Sequence, residues 1–194
     1  MNISILDTDG SSFDFTSRYA INSAGLEAEK IARMTGIDDP QYKTWFWKGE
    51  YFALLNGKHK LINRLVYPVP EPNTTGLGIH TTPDLAGRQK LEPNTIFLED
   101  GKIDYSVDPA HAKEFYQKAS RFLPFLEPGD LASDQAGIRP KLQKPGDPAR
   151  DFIILEEEKR GFPGLVNLIG IESPGLTAAL SIGNYVRSLL KKYD

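Results

Sequence analysis

Two short segments near opposite ends of the chain follow one pattern: an apolar strand, a bend of small residues, then a helix. This constrains the fold more than any other feature. The first is Tyr19-Ala20-Ile21-Asn22-Ser23-Ala24-Gly25 running into Leu26-Glu27-Ala28-Glu29-Lys30-Ile31-Ala32-Arg33-Met34, with Gly36 as the stop. The second is Leu165-Val166-Asn167-Leu168-Ile169-Gly170-Ile171, which passes through Glu172-Ser173-Pro174-Gly175 into a predicted helix over 176–190. A helix N-terminus exposes free N–H groups and partial positive charge, so a small-residue bend there admits a phosphate, a carboxylate or another electron-rich group. The same glycines also suit an ordinary tight strand-to-helix turn.

Between these segments the composition changes. Aromatic and β-branched residues with turn signals dominate from about 38 to 98, which predicts a sheet. Stretches 45–55 and 61–69 read as strands around an Asn56-Gly57 hairpin turn. Pro68, Pro70 and Pro72 then imply an extended edge, followed by a strand at 76–81. Asp108-Pro109 opens a helix whose apolar face, Ala112, Phe115, Tyr116, Ala119, Phe122 and Leu123, is expected to cover that sheet. At the very start, 3–6 and 13–15 read as a hairpin around Asp7-Thr8-Asp9-Gly10. The implied class is α+β.

Composition removes several functions. With 23 Lys and Arg against 26 Asp and Glu there is no basic field for a nucleic-acid backbone. The chain has no cysteine, which excludes disulfides, thiolate nucleophiles and cysteine-ligated clusters. Its three histidines, His59, His80 and His111, form no helical ligand pair, so no metal is expected. No stretch approaches the ~20 apolar residues of a membrane span, and the expected location is cytoplasmic.

Individual candidates each carry two readings. In Gly137-Ile138-Arg139-Pro140-Lys141 a guanidinium stands between a glycine and a rigid proline, suited to gripping a carboxylate or to a structural ion pair. Tyr51 and Tyr67 are donors to the same anion or half-buried packing residues. His80 is a proton acceptor, its ring ordinarily titrating near neutrality, or a structural histidine. Gly76-Leu77-Gly78 imitates a dinucleotide fingerprint, but Thr81 stands where the third glycine belongs. Lys48, Arg64, Arg88 and Lys141 are cations for any second carboxylate, each with a surface alternative.

Taken in order, Ile21-Asn22-Ser23-Ala24-Gly25, Lys48-Gly49-Glu50-Tyr51-Phe52, Val66-Tyr67-Pro68-Val69-Pro70, Gly78-Ile79-His80, Ala136-Gly137-Ile138-Arg139-Pro140-Lys141 and Val166 through Thr177 resemble the D-amino-acid-oxidase superfamily of FAD-dependent oxidoreductases, specifically its L-2-hydroxyglutarate dehydrogenase/oxidase branch. The resemblance implies FAD as cofactor and an antiparallel or mixed substrate-domain sheet with covering helices. Partial pieces of a glutathione-reductase-like Rossmann FAD domain flank it, giving boundaries at 1–37, 38–135 and 136–194. It implies Ser23, Ala24, Gly25 and Gly137 among the cofactor-binding residues. Gly170, Ile171, Glu172, Ser173, Pro174, Gly175, Leu176 and Thr177 would run past the flavin ring, with the helix N-terminus at its N1/C2 edge. Arg139, His80 and Tyr51 are the implied catalytic residues.

The strand, Gly-x-Gly-x-x-Gly turn and ribose-binding acid that open such proteins do not occur in the sequence, so it reads as the carboxy-terminal half. Two functional classes are compatible with this. One is an oxidoreductase module acting on a small 2-hydroxy acid such as 2-hydroxyglutarate. The other is an inactive folded module that self-associates or pairs with a separate amino-terminal FAD-binding half.

Overall fold

The computed structural model describes residues 1–69 and 78–193. The readings at 70–77, including Pro70, Pro72, the Gly76-Leu77 pair and the start of the 76–81 strand, lie outside the described residues. In chain order the elements are β1 (Asn2–Leu6), β2 (Ser12–Thr16), β3 (Ala20–Asn22), α1 (Ala28–Met34), β4 (Trp45–Leu54), β5 (His80–Pro83), β6 (Gln89–Glu92), β7 (Ile96–Phe97), α2 (Ala112–Ala119), β8 (Leu131–Lys141), β9 (Ile153–Glu156), β10 (Leu165–Ile169) and α3 (Gly175–Leu190). No helix among the described residues is long and apolar enough to cross a membrane. The described chain forms two compact units: Met1–Thr44 with Pro140–Gln143 and Arg150–Asp194, and Trp45–Arg139 with Lys144–Ala149.

In the first unit β10 is the centre of a three-stranded mixed sheet, parallel to β3 and antiparallel to β9. All five of its residues are buried because both faces are covered. Leu165 and Ile169 pack with Ala28 and Ala32 of α1, while Val166 and Leu168 pack with Val186 and Leu190 of α3. Each of the leucine, isoleucine and valine side chains contributes roughly 1.5–3 kcal/mol by leaving water. The predicted first hairpin forms as β1 against β2, antiparallel. The first predicted helix opens with a 3-10 turn at Gly25–Glu27 before α1. Glu29 does more than complement the helix dipole. It accepts from the Thr44 N–H at 2.8 Å and its hydroxyl at 2.9 Å, tying α1 to residues 43–44.

In the second unit a five-stranded sheet runs β5-β6-β4-β7, with β8 also paired to β4. One face packs on α2 as predicted: Phe52, Leu54 and Leu91 meet Phe115, Ala119 and Leu123, and the Phe52 and Phe115 rings are 4.6 Å apart. Asp108 caps the entry to this helix by accepting from the Ala110 N–H. The hairpin expected at Asn56-Gly57 does not form. Both residues take positive φ, 51° and 75°, but a 3-10 turn at Lys58–Leu61 comes next. Asn56 donates to Asp130 at 2.9 Å and Lys58 to the Phe125 carbonyl at 2.7 Å, which tethers the turn to 125–130. The positions beside β4 belong to β6, β7 and β8, and the 61–69 segment contributes only the bridge from Val66 to Thr81.

Candidate functional site

Parallel pairing of β3 with β10 dictates that the turns after them leave the same edge of the sheet, the edge where ligands bind in open α/β sheets. Ser23 and Gly25 from the first turn and Ile171 and Gly175 from the second line one cavity of about 440 Å³, together with Leu168 and Gly183. Ala24, Gly170, Glu172, Ser173, Pro174, Leu176 and Thr177 lie in or beside these turns. Gly137 belongs to β8 in the second unit.

Buried amides fix the first turn. Asn22 Nδ2 donates to the Ala28 carbonyl at 2.8 Å and to Asn167 Oδ1 at 2.7 Å, and Asn22 Oδ1 accepts from the Ala24 N–H at 3.3 Å. Asn167 Nδ2 in turn donates to Glu157 at 2.8 Å. Glu157 also accepts from Tyr42 and Arg160, so the turn rests on a buried polar chain. Burial and the bond to Glu157 together drive the Tyr42 hydroxyl far above its ordinary range.

The second turn is set by glycines. Gly170 has φ of 72°, and a Cβ there would lie 2.5 Å from Leu142 Cγ. Gly175 opens α3, whose first turn has no side-chain cap, and a Cβ there would lie 2.5 Å from Ile171 Cγ2. Lys141 and Glu172 form an ion pair at 3.2 Å beside this turn.

In the second unit, Tyr51 and His80 lie on the sheet face opposite α2, and Arg139 belongs to β8. His80 on β5 is the register partner of Glu92 on β6. The Phe52–Leu91 pairing, taken one residue further, sets Tyr51 beside Glu92. Directly opposed residues share a face, so His80, Glu92 and Tyr51 form a row across three strands. Tyr51 donates to Glu92. Burial and that bond push its hydroxyl up to about 12, while the positive Arg139 pulls the other way. His80 is buried with Nδ1 2.9 Å from the Gly78 carbonyl. A carbonyl only accepts, so Nδ1–H donates this bond and Nε2 is the ring's second nitrogen. Tyr67 stacks on this ring with centroids 4.2 Å apart.

Glu92 is the member of the row that the sequence reading missed. Its signal was the alternation in Gln89-Lys90-Leu91-Glu92, where Leu91 enters the core and its neighbours face away. Three of the four cations proposed for a second carboxylate are ion-paired with carboxylates of the chain: Lys48 with Glu50 and Asp104, Arg88 with Asp84, and Lys141 with Glu172. Arg64 donates through Nε to the neighbouring Asn63.

The model of the FAD dependent oxidoreductase family matches residues 2–189. The chain belongs to that family. FAD is the cofactor of this flavoprotein family. The chain is 42% identical over 176 residues to the mitochondrial L-2-hydroxyglutarate dehydrogenase of Arabidopsis thaliana, covering 86% of the chain and 36% of the relative. It is 27% identical to the L-2-hydroxyglutarate dehydrogenase of Indibacter alkaliphilus, covering 94% of the chain and 52% of the relative. Among solved structures, the FAD-bound L-alpha-glycerophosphate oxidase of Mycoplasma pneumoniae superposes with a TM-score of 0.70 at 25% identity, over 95% of the chain and 48% of that protein. The flavoprotein chain therefore spans about a third to a half of the relatives it matches.

Proposed function

We propose that this chain carries the substrate face and part of the flavin cradle of an oxidoreductase that oxidises a small 2-hydroxy acid, L-2-hydroxyglutarate first. The observation that carries the reading is the 42% identity to a plant L-2-hydroxyglutarate dehydrogenase over 86% of the chain. The first unit fits a flavin. A Cβ built on Gly25 meets nothing within 4 Å, so the turn presents bare backbone to the cavity, and no side chain caps the N-terminus of α3 by a hydrogen bond. The positive end of that helix favours an electron-rich edge lying against it. FAD, when bound, supplies the two-electron acceptor. Ser23, Ala24, Gly25 and 170–177 would hold it, with Gly137 kept as a proposed contact.

In the second unit Arg139 grips the substrate carboxylate through paired N–H donors. His80 Nε2 takes the hydroxyl proton as the substrate is oxidised. Tyr51 orients the hydroxyl beside it. Loss of the guanidinium in Arg139→Ala weakens carboxylate binding by about ten- to a hundredfold, the value of hydrogen bonds to a charged group. Calorimetric titration with 2-hydroxyglutarate measures this, and unchanged affinity refutes the role.

A second reading is favoured by α3, where Leu176 and Leu180 are 94% and 86% exposed. In it the chain is an inactive module that self-associates or pairs with a separate amino-terminal FAD-binding half. Thermal unfolding with and without FAD, alone and with such a half, separates the two. A midpoint raised by FAD in the chain alone supports the flavin reading, because a ligand that binds only the folded state must stabilise it. A colourless chain whose midpoint FAD raises only with such a half, or not at all, supports the second.

A further inference from the structure

The Glu92 carboxylate has no part in the chemistry proposed for Arg139, His80 and Tyr51, yet it lies within the same substrate face, between His80 and Tyr51 in the strand register. A phenol has one proton to give and lone pairs to receive. A carboxylate is a stronger acceptor than a neutral ketone, so the Tyr51 proton stays with Glu92 when a ligand arrives. What Tyr51 then offers is its oxygen lone pairs.

We propose that Glu92 is a positioning residue that fixes Tyr51 as a hydrogen-bond acceptor, so that the site selects 2-hydroxy acids over the corresponding 2-oxo acids. The inference rests on the proposed substrate face and adds the sense of discrimination to it. In the resting complex a 2-hydroxy acid donates its single hydroxyl proton to Tyr51, and that proton turns to His80 Nε2 only as the substrate is oxidised. A 2-oxo acid brings a second acceptor, leaving two lone pairs facing each other without a proton. Sites built to bond a ligand hydroxyl reject the analogue lacking it for this reason. Arg139 binds the carboxylate common to both acids and does not discriminate. The selection bears directly on turnover, because the oxidised product is the acid the site holds less tightly.

The test uses the full 194-residue chain, titrated calorimetrically with L-2-hydroxyglutarate and with 2-oxoglutarate. The wild type is expected to favour the hydroxy acid by roughly tenfold, the scale of one unpaired buried polar group. Glu92→Leu releases the Tyr51 proton, and the preference falls to near unity or reverses. Glu92→Gln keeps an acceptor for Tyr51 and retains most of the preference. Tyr51→Phe, which cannot accept at all, loses it and serves if Glu92→Leu does not fold.

A ligand-free readout accompanies these titrations. The phenolate absorbance of Tyr51, assigned by difference against Tyr51→Phe, is expected to titrate at about 12 in the wild type and to shift downward in Glu92→Leu. A wild-type preference that survives in folded Glu92→Leu or in Tyr51→Phe overturns the proposal, as does an unmoved Tyr51 titration. Binding of neither acid by the wild type overturns the substrate-face reading instead.

Discussion

Gly170→Ala tests how the second turn is held, and the structure supplies its magnitude. Gly170 has φ of 72°, and its added methyl would lie 2.5, 2.8 and 3.0 Å from three carbons of the Leu142 side chain. The left-handed backbone costs an alanine about 1–2 kcal/mol. Forcing a methyl into a filled site costs about 1–3 kcal/mol more. The expected loss is therefore about 2–5 kcal/mol, read by urea unfolding monitored with far-UV circular dichroism. The two contributions separate in a double-mutant cycle. Leu142 is buried, so Leu142→Ala alone costs about 2–5 kcal/mol. In its presence the new methyl has room, and the double variant is more stable than the sum of the singles by about 1–3 kcal/mol. The left-handed cost remains. A Gly170→Ala variant within 0.5 kcal/mol of wild type, or strict additivity in the cycle, refutes the packing argument.

Glu157→Ala leaves the Tyr42 hydroxyl and Asn167 Nδ2 without their acceptor in the interior. The expected loss is about 2–5 kcal/mol by urea unfolding, since each buried orphaned donor costs about 1–3 kcal/mol; an effect below 1 kcal/mol would mean that the polar chain beneath the first turn is dispensable. Burial pushes the Glu50 carboxyl up, but bonds from the Asp108 N–H, Asn94 and His111 outweigh it, so its native pKa lies below the ordinary 4.5. A depressed carboxylate stabilises the fold fully above 4.5 and loses that contribution as pH falls through the lower native value. Thermal midpoints of wild type therefore drop on acidification below 4.5, and Glu50→Gln, already lacking the contribution, drops less; equal slopes would contradict the assignment.

The elements read best from sequence are those whose signals are local. The Asp7–Gly10 turn, the Asp108 cap and the mostly aliphatic run at β10 each state their structure within a few residues. Asn56-Gly57 misled for the same reason. Its positive φ values are real, but the tether from Lys58 to Phe125 and Asp130 comes from far along the chain and sets the path of the backbone beyond the turn. The long strand β8 was not predicted as a strand because Ser133-Asp134-Gln135-Ala136-Gly137 carries no apolar alternation; its pairing with β4 makes it one. The alternation around Glu92 gives its face but not its neighbours, which only the register of β5, β6 and β4 sets as His80 and Tyr51. The shared edge of the two turns likewise arises from the parallel pairing of β3 and β10, which neither segment encodes alone.

Amide hydrogen exchange with and without FAD, read peptide by peptide on the chain alone and with any amino-terminal half, tests the flavin cradle most directly. The account predicts slowed exchange at 22–28 and 168–180, the two segments that line one cavity. Unchanged exchange at both segments, or protection confined to other parts of the chain, would contradict it.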